Sequence, residues 1–247
     1  MVQTGVERTF GPKLRHFLAG ALRNRLNAFA AGTAVIAVGI ALLLAYGARI
    51  SRSPVAQGVN RLAGLGYAVP GAVIAVGVLI PATRLDNLLA DWGISTGLVL
   101  TGSIGALVYA YLIRFLGVAL QAVDAGLARV TPHMEDAARS LGMGAGATLA
   151  RVHAPILRSS LVTAGLLVFV DVMKELPATF VMRPFDFDTL AVQAYNLASD
   201  ERLAEASTAS LAIVAVGLLP VIVASRRLVR QQPEARLAPA LAPAGGA

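Results

Sequence analysis

The sequence predicts an all-α membrane protein, a polytopic helical bundle with about five transmembrane helices. Of its 247 residues, 56% are hydrophobic and only 14% are charged, whereas a soluble domain carries about 25% charged residues. Long uncharged runs separate the charged segments, as in helices that cross a bilayer. The chain contains no cysteine, which excludes disulfides, thiolate metal sites and cysteine nucleophiles.

Four uncharged runs are long enough to cross the hydrocarbon, which takes about 20 apolar residues. They lie at 26–48, 62–83, 92–113 and 206–225. One more candidate, 155–182, is the fourth span in chain order, which makes 206–225 the fifth, and it is uncharged only from 159 to 170. We interpret it as a spanning helix whose far-end charges face the protein interior; a buried helix that never spans is the alternative. Pro70 and Pro81 are expected to break the second span.

Five spans place the two termini on opposite sides of the membrane. With the C-terminus inside, arginine and lysine concentrate in the cytoplasmic loops, as expected for an inner-membrane protein. The basic segment 1–26 then lies outside and breaks the pattern. Either the chain is the later part of a longer protein, or 10–26 is an amphipathic interfacial helix. The predicted domains are this segment, a transmembrane domain at 27–226, and a disordered Pro/Ala-rich cytoplasmic tail at 227–247.

The longest polar loop, between the third and fourth spans, predicts a short amphipathic helix. Thr131 can cap it, with Pro132 at its first position. Glu135 and Asp136 stand near its first turn, where the helix dipole favours acids, and Gly142 ends it. Its apolar positions recur at helical spacing on one face: Met134, Ala137, Ala138 and Leu141. The residues alone leave two readings open, packing on the chain's own loops or binding a partner.

The run 135–142, EDAARSLG, with Pro155 thirteen positions after Gly142, resembles the cytoplasmic loop of ABC importer permeases of the type I fold. That family shows an acid, two alanines, three residues and a glycine, and then a later proline. Asp136 stands where glutamate is usual, and Ala154 where leucine is common. The resemblance implies a coupling helix that docks in a groove of a partner ATPase. Its predicted coupling residues are Glu135, Asp136, Ala137, Ala138, Leu141 and Gly142.

Downstream segments at 171–179, 187–191 and 197–202 are similar to the ferric-iron branch of this family, in which one polypeptide usually carries two homologous halves. The chain resembles the second half over roughly residues 20–230. The resemblance implies a multi-pass protein of the bacterial inner membrane that imports substrate by alternating access. Ferric iron is the first candidate substrate; thiamine, polyamine, sulfate and phosphonate are alternatives.

The same resemblance implies the partners. They are ABC ATPase subunits, a periplasmic substrate-binding protein, a second permease half or homologous subunit, and the lipid bilayer. No nucleic acid, cofactor or metal site is expected. Because the chain contains no G-x-x-x-x-G-K-[ST] motif, we expect ATP hydrolysis in a separate subunit and no enzyme activity here.

Three charged residues and a proline near the end of the fourth span are candidates for the translocation path or an outer gate: Asp171, Lys174, Glu175 and Pro177. Spacings of three and four predict that the charged residues share one helix face. A local ion pair followed by a proline break is the alternative. The acidic loop at 183–205 is expected to face the periplasm, where it either meets a binding protein or is simply solvated.

Two other classes of function compete with an importer subunit. An ion-coupled secondary transporter needs ionisable groups near mid-membrane and an inverted repeat, whereas four of the five predicted spans have uncharged centres. A non-transporting scaffold has no need of the acid-Ala-Ala…Gly spacing in a cytoplasmic loop.

Overall fold

The computed structural model describes residues 25–51, 53–94, 100–185 and 187–231, and every regular element in those ranges is helical. The elements are α1 (Arg25–Ser51), α2 (Pro54–Leu65), a 3₁₀ turn (Gly66–Ala68), α3 (Gly71–Asp91), α4 (Ile104–Leu127), α5 (Pro132–Ser140), α6 (Ala145–Thr148), a π-helical turn (Leu149–His153), α7 (Ala154–Lys174), α8 (Pro177–Met182), α9 (Leu190–Ser199) and α10 (Leu203–Gln231). The predicted all-α membrane bundle is confirmed.

Four segments of the described chain are long and apolar enough to cross a membrane: Ala28–Ser51, Gly71–Asp91, Ile104–Leu127 and Ala145–Lys174. The last includes the doubtful fourth span of the sequence. The predicted fifth span falls in α10, which has 29 residues and is apolar over Leu203–Leu218. Helix α10 continues past residue 226, the predicted end of the membrane domain. The other predictions, for the basic N-terminal segment and the rest of the disordered tail, concern 1–24 and 232–247, which lie outside the described residues.

The second span differs from its predicted bounds of 62–83. The chain is helical over α2, leaves the helix at 66–70 and resumes as α3 at Gly71. Pro70 therefore stands at the predicted break, directly before α3. Pro81 lies inside α3, which continues through it, so this second predicted break is wrong. A proline within a membrane helix is tolerated when neighbouring groups satisfy the freed carbonyl.

The third span is also displaced from its predicted position at 92–113. Helix α4 begins only at Ile104, because Ser103 caps it: the Ser103 hydroxyl accepts a hydrogen bond from the Ala106 N–H at 3.0 Å. It continues to Leu127 and carries Arg114 near its middle. The expected uncharged centre is therefore wrong for this helix. A span predicted from an uncharged run ends at the first charge. Such a prediction therefore misses a charged residue that lies inside a helix and is paired within the bundle.

The bundle is held together by small side chains on α1. A stripe of alanines, each at most 3% exposed, faces α4 and α7, and small residues allow membrane helices to approach closely. The stripe consists of Ala30, Ala34, Ala37, Ala41 and Ala45. On other faces of α1, Val35 is 72% exposed and Leu43 is 65% exposed, which suits contact with lipid.

Helices α2 and α4 are in backbone contact. A Cβ atom on Gly117 would lie 2.7 Å from the carbonyl oxygen of Gly64, and one on Gly66 would lie 1.8 Å from that of Ile113. Only glycine fits such an approach. These contacts place α2 beside the C-terminal half of α4, and they bring the break at 66–70 to the middle of α4.

Gly71, at the start of α3, also lies against a neighbouring group. A Cβ on Gly71 would lie 2.3 Å from the Glu175 carboxylate. At Gly77 a Cβ would meet nothing within 4 Å, and at Gly105 and Gly165 its nearest neighbours lie at 3.7 and 3.9 Å. Those three positions need no glycine for packing.

Candidate functional site

The predicted coupling helix forms as α5, Pro132–Ser140, with Thr131 at the N-cap position and Pro132 in the first turn. It ends as the sequence predicts. Gly142 has a φ of 75°, a conformation that glycine adopts without strain. The Gly142 N–H donates to the Arg139 carbonyl at 2.8 Å and the Met143 N–H to the Ala138 carbonyl at 3.0 Å.

The apolar positions of α5 divide between two surfaces. Ala138 is buried, at 3% exposure, and packs the helix onto its own chain. Met134, Ala137 and Leu141 are exposed, and Leu141 retains 79% of its surface. Asp136 is also exposed, with a loose pair to Arg139 at 3.7 Å. The helix therefore presents an apolar patch, which we call the outer face: Met134, Ala137 and Leu141.

Glu135 points into the protein, toward the last turn of α1. Arg49 donates through Nε to Glu135 Oε1 at 2.6 Å, through Nη1 to the Leu127 carbonyl at 2.8 Å and through Nη2 to the Val130 carbonyl at 2.6 Å. One guanidinium thus joins α1, the end of α4 and α5; we call this cluster the inner junction. No local spacing in the sequence links positions 49 and 135, so the sequence alone does not predict this pair.

Two aromatic side chains complete the surroundings of the inner junction. His153 is fully buried, with Nε2 3.5 Å from Glu135 Oε1. Its ring meets the Tyr46 ring edge-on, with centroids 4.9 Å apart. The Tyr46 hydroxyl donates to the Ala145 carbonyl at 2.9 Å. The segment that follows α5 is therefore also attached to α1.

The charged cluster at the end of α7 separates in a way that the sequence did not predict. Lys174 pairs with Asp171 at 2.6 Å, as their spacing predicts. Glu175 does not share their helix face, because it follows the last helical residue and has an extended backbone, with ψ 114°. Its carboxylate instead pairs with Arg114 Nε at 3.0 Å.

The Arg114–Glu175 pair lies where two interrupted helices meet. Arg114 Nη1 also donates to the carbonyl of Val69, which belongs to the break between α2 and α3. Glu175 Oε1 accepts from the Ala178 N–H at 3.2 Å, across the break between α7 and α8. The Gly71 N-terminus of α3 abuts the same carboxylate. We call this cluster the middle junction.

Buried hydrogen bonds fix the middle junction further. Pro177 begins α8, and the Thr179 hydroxyl donates to the Glu175 carbonyl at 2.6 Å. The Tyr111 and Thr179 hydroxyls share a hydrogen bond. The Glu175 side chain is only 6% exposed. Discontinuous helices with polar groups at membrane depth are typical of transport pathways.

The acidic loop at 183–205 is partly neutralised by its own arginines. Arg183 pairs with Asp188, and Arg202 pairs with Glu205. The loop contains α9, capped by Thr189; Asp186 lies outside the described residues. In the parts of the chain that the structure covers, no group of three or more His, Cys, Asp or Glu side chains is placed to hold a metal ion.

Sequence comparison finds relatives of two kinds. The chain is 28% identical over 188 residues to the Fe(3+)-transport system permease protein FbpB 2 of Haemophilus influenzae, which covers 76% of this chain and 35% of that protein. It is 26% identical over 152 residues to a Salmonella paratyphi A protein named for 2-aminoethylphosphonate transport, the permease PhnV, covering 62% and 53%. The chain thus spans a third to a half of these relatives. No family model matches it.

Solved structures share the fold. A bacterial ABC transporter involved in the import of the acidic polysaccharide alginate superposes with a TM-score of 0.60 at 15% identity, over 93% of this chain and 89% of the other. The alginate transporter in complex with its pentasaccharide-bound periplasmic protein gives 0.53 at 12% identity, over 90% and 84%. The predicted resemblance to ABC importer permeases is confirmed.

Proposed function

We infer that this chain is an ABC importer permease of the type I fold, a multi-pass inner-membrane subunit corresponding to the second half of a longer permease. The inference is supported by relatives named as permeases and by the shared fold. Its proposed partners are ABC ATPase subunits, a periplasmic substrate-binding protein and a second permease half. The chain moves substrate by alternating access, while the ATPases hydrolyse ATP.

The outer face of α5 is the observation that carries this function. Met134, Ala137 and Leu141 project from a charged loop, where they have no lipid to meet. Exposed apolar patches rimmed by polar residues mark sites of protein association. The small Ala137 permits close approach, and the exposed carboxylate of Asp136 is available to a basic partner. We therefore assign the ATPase-docking role to this face, the packing role to Ala138, and the turn that ends α5 to Gly142.

The middle junction supports a role on the translocation path. Charged groups at membrane depth are costly and are usually retained for function. Arg114 and Glu175 hold two helix breaks together, and such breaks allow helix halves to move separately. We propose that this pair and the neighbouring Asp171–Lys174 pair form a gate, with Pro177 fixing the start of α8.

Co-purification tests the ATPase-docking role. Replacing both Met134 and Leu141 by serine removes the apolar side chains of the outer face while adding no bulk. We expect the amount of ATPase recovered with the chain to fall by about tenfold or more, since a few apolar contacts dominate most interfaces. Because both side chains are exposed, unfolding should be unchanged within about 0.5 kcal/mol.

Leu203→Ser is the matched control, because Leu203 is 68% exposed and begins a different helix. It should leave ATPase recovery unchanged. Equal ATPase recovery from the double variant and the parent would contradict the coupling assignment. A chain that recovers no ATPase even as the parent would contradict the importer assignment as a whole.

Ferric iron is the proposed substrate, and a phosphonate is the alternative. The iron-transport relative matches a longer part of this chain than the phosphonate permeases do, although the identities are similar. Uptake of radioactive Fe(III) and of labelled 2-aminoethylphosphonate should be compared in proteoliposomes containing the whole transporter and its binding protein. Uptake of iron alone is expected; uptake of the phosphonate alone would overturn the iron proposal and keep the importer.

A further inference from the structure

We propose that Arg49 is a positioning residue that locks the coupling helix α5 to α1 and α4, so that a displacement of α5 reaches both spans together. The proposal rests on the coupling role of α5 given above. It concerns how movement is passed inward, whereas the outer face concerns how the ATPase is held.

The geometry requires an arginine. Its guanidinium directs donors along three different lines, and here they reach Glu135 on α5, the Leu127 carbonyl and the Val130 carbonyl. Carbonyls at the C-terminal end of a helix lack intrahelical partners and carry partial negative charge. Leu127 ends α4, and its carbonyl accepts from the Val130 N–H at 3.0 Å and, as a second and charge-assisted hydrogen bond, from Arg49. A lysine would offer one nitrogen to these dispersed acceptors.

A second attachment on the same face of α1 strengthens the lock. Tyr46 is three residues before Arg49, so both side chains leave α1 on one side. Arg49 holds Glu135 within α5, and Tyr46 holds the Ala145 carbonyl just after it. The chain on both sides of the Gly142 turn is therefore tied to α1. Because the alanine stripe packs α1 against α4 and α7, these helices and α5 form one unit.

The two ion pairs of α5 differ in burial and in length, as the proposal requires. Arg49 and Glu135 are 24% and 16% exposed and 2.6 Å apart. Arg139 and Asp136 are 67% and 66% exposed and 3.7 Å apart, and pairs of that kind contribute little. Only the first pair fixes the orientation of α5 against the spans.

Spin-label distances test the lock in the full chain. Because the chain contains no cysteine, cysteines at Val35 and Ser140 give a single label pair in lipid nanodiscs. Val35 is 72% exposed and lies about 21 Å along α1 from Arg49. The parent should show one narrow distance distribution. Arg49→Gln should broaden or split it, and Arg49→Lys should give an intermediate width.

Arg202→Gln is the control, since it makes the same change in an exposed pair far along the chain; it should leave the distribution unchanged. Glu135→Gln should broaden the distribution less than Arg49→Gln, because Arg49 keeps both carbonyl acceptors. A parent-like width in Arg49→Gln would overturn the proposal.

A second readout separates this proposal from the coupling assignment itself. Arg49→Gln should still recover the ATPase, because the outer face is intact. In the reconstituted transporter it should lower the amount of substrate moved per ATP hydrolysed by about tenfold, a typical size for the coupling between two sites. An unchanged ratio would contradict Arg49 as a positioning residue. If instead Met134→Ser with Leu141→Ser left ATPase recovery intact, the coupling role would fail, whatever the label distances showed.

Discussion

The inner and middle junctions are built from the same parts in different surroundings. In each, an arginine forms an ion pair with one carboxylate and donates a hydrogen bond to at least one backbone carbonyl from another part of the chain. Arg49 stands in the last turn of α1, beside the α5 loop, and its partner Glu135 is 16% exposed. Arg114 stands near the middle of α4, and its partner Glu175 is 6% exposed.

The difference shows what each junction contributes. Water reaches an unpaired charge at the end of a span, whereas a charge at membrane depth stays desolvated when its partner is removed. The middle junction should therefore dominate stability. The inner junction should dominate the transmission of movement, because its loss leaves a folded chain with a misplaced α5.

The largest expected effect is loss of the Glu175 carboxylate. Glu175→Leu leaves the Arg114 guanidinium buried without its ion partner, which should destabilise the fold by about 3–5 kcal/mol. Adding Arg114→Met removes the stranded charge and should restore most of that stability. Unfolding in mixed micelles titrated with SDS measures both. A double variant no more stable than Glu175→Leu would contradict this, because it would show that the stranded Arg114 charge is not the source of the lost stability.

Close backbone packing at the middle junction gives the next effect. Gly66→Ala forces a methyl group against the Ile113 carbonyl, and overpacking of this kind costs about 1–3 kcal/mol. Gly77→Ala is the matched control, because nothing lies within 4 Å of its Cβ. It should stabilise α3 by about 0.5–1 kcal/mol. The same SDS titration measures both variants; equal shifts would mean that the 66–68 turn and α4 are not in backbone contact.

The same Glu→Gln substitution at both junctions compares their contributions to stability directly. Glu135→Gln keeps the shape of the side chain and weakens one charge-assisted hydrogen bond, so it should cost about 1 kcal/mol. Glu175→Gln should cost clearly more, since Arg114 then keeps an uncompensated charge inside the bundle. Thermal unfolding in detergent gives the ranking. A larger loss from Glu135→Gln would reverse the roles assigned here.

The smallest expected change in stability is at the end of α5. Gly142 has open space around its Cβ position and a φ of 75°, so only backbone strain opposes a side chain. Gly142→Asn, which tolerates this conformation, should be nearly neutral. Gly142→Val should misplace the chain after α5 and abolish transport, while membrane insertion persists. Transport assays on membranes with equal amounts of each variant compare the two substitutions. Normal transport in Gly142→Val would remove Gly142 from the coupling mechanism.

Local sequence signals predicted α5 well, but they could not predict the long-range contacts that form the two junctions. Helix α5 is specified by Pro132 at its start and Gly142 after its end, and both work within a few residues. Pro70 marked the break at 66–70 in the sequence, but the close backbone packing of Gly66 on α4 has no local signal. Arg114 marked the end of a predicted span, yet it lies inside one. Pairs such as 49 with 135 depend on tertiary packing, which no local spacing encodes.

Sidedness is the property on which the whole account rests, and a cysteine-free chain makes it directly measurable. Ser140, on α5, and Ser199, at the end of α9, are both exposed. A single cysteine can therefore be placed at either position. Treating intact spheroplasts with a membrane-impermeant maleimide should label Ser199→Cys at once and Ser140→Cys only after lysis. Labelling of Ser140→Cys in intact spheroplasts would place α5 outside the cell, away from any ATPase, and would contradict the coupling mechanism.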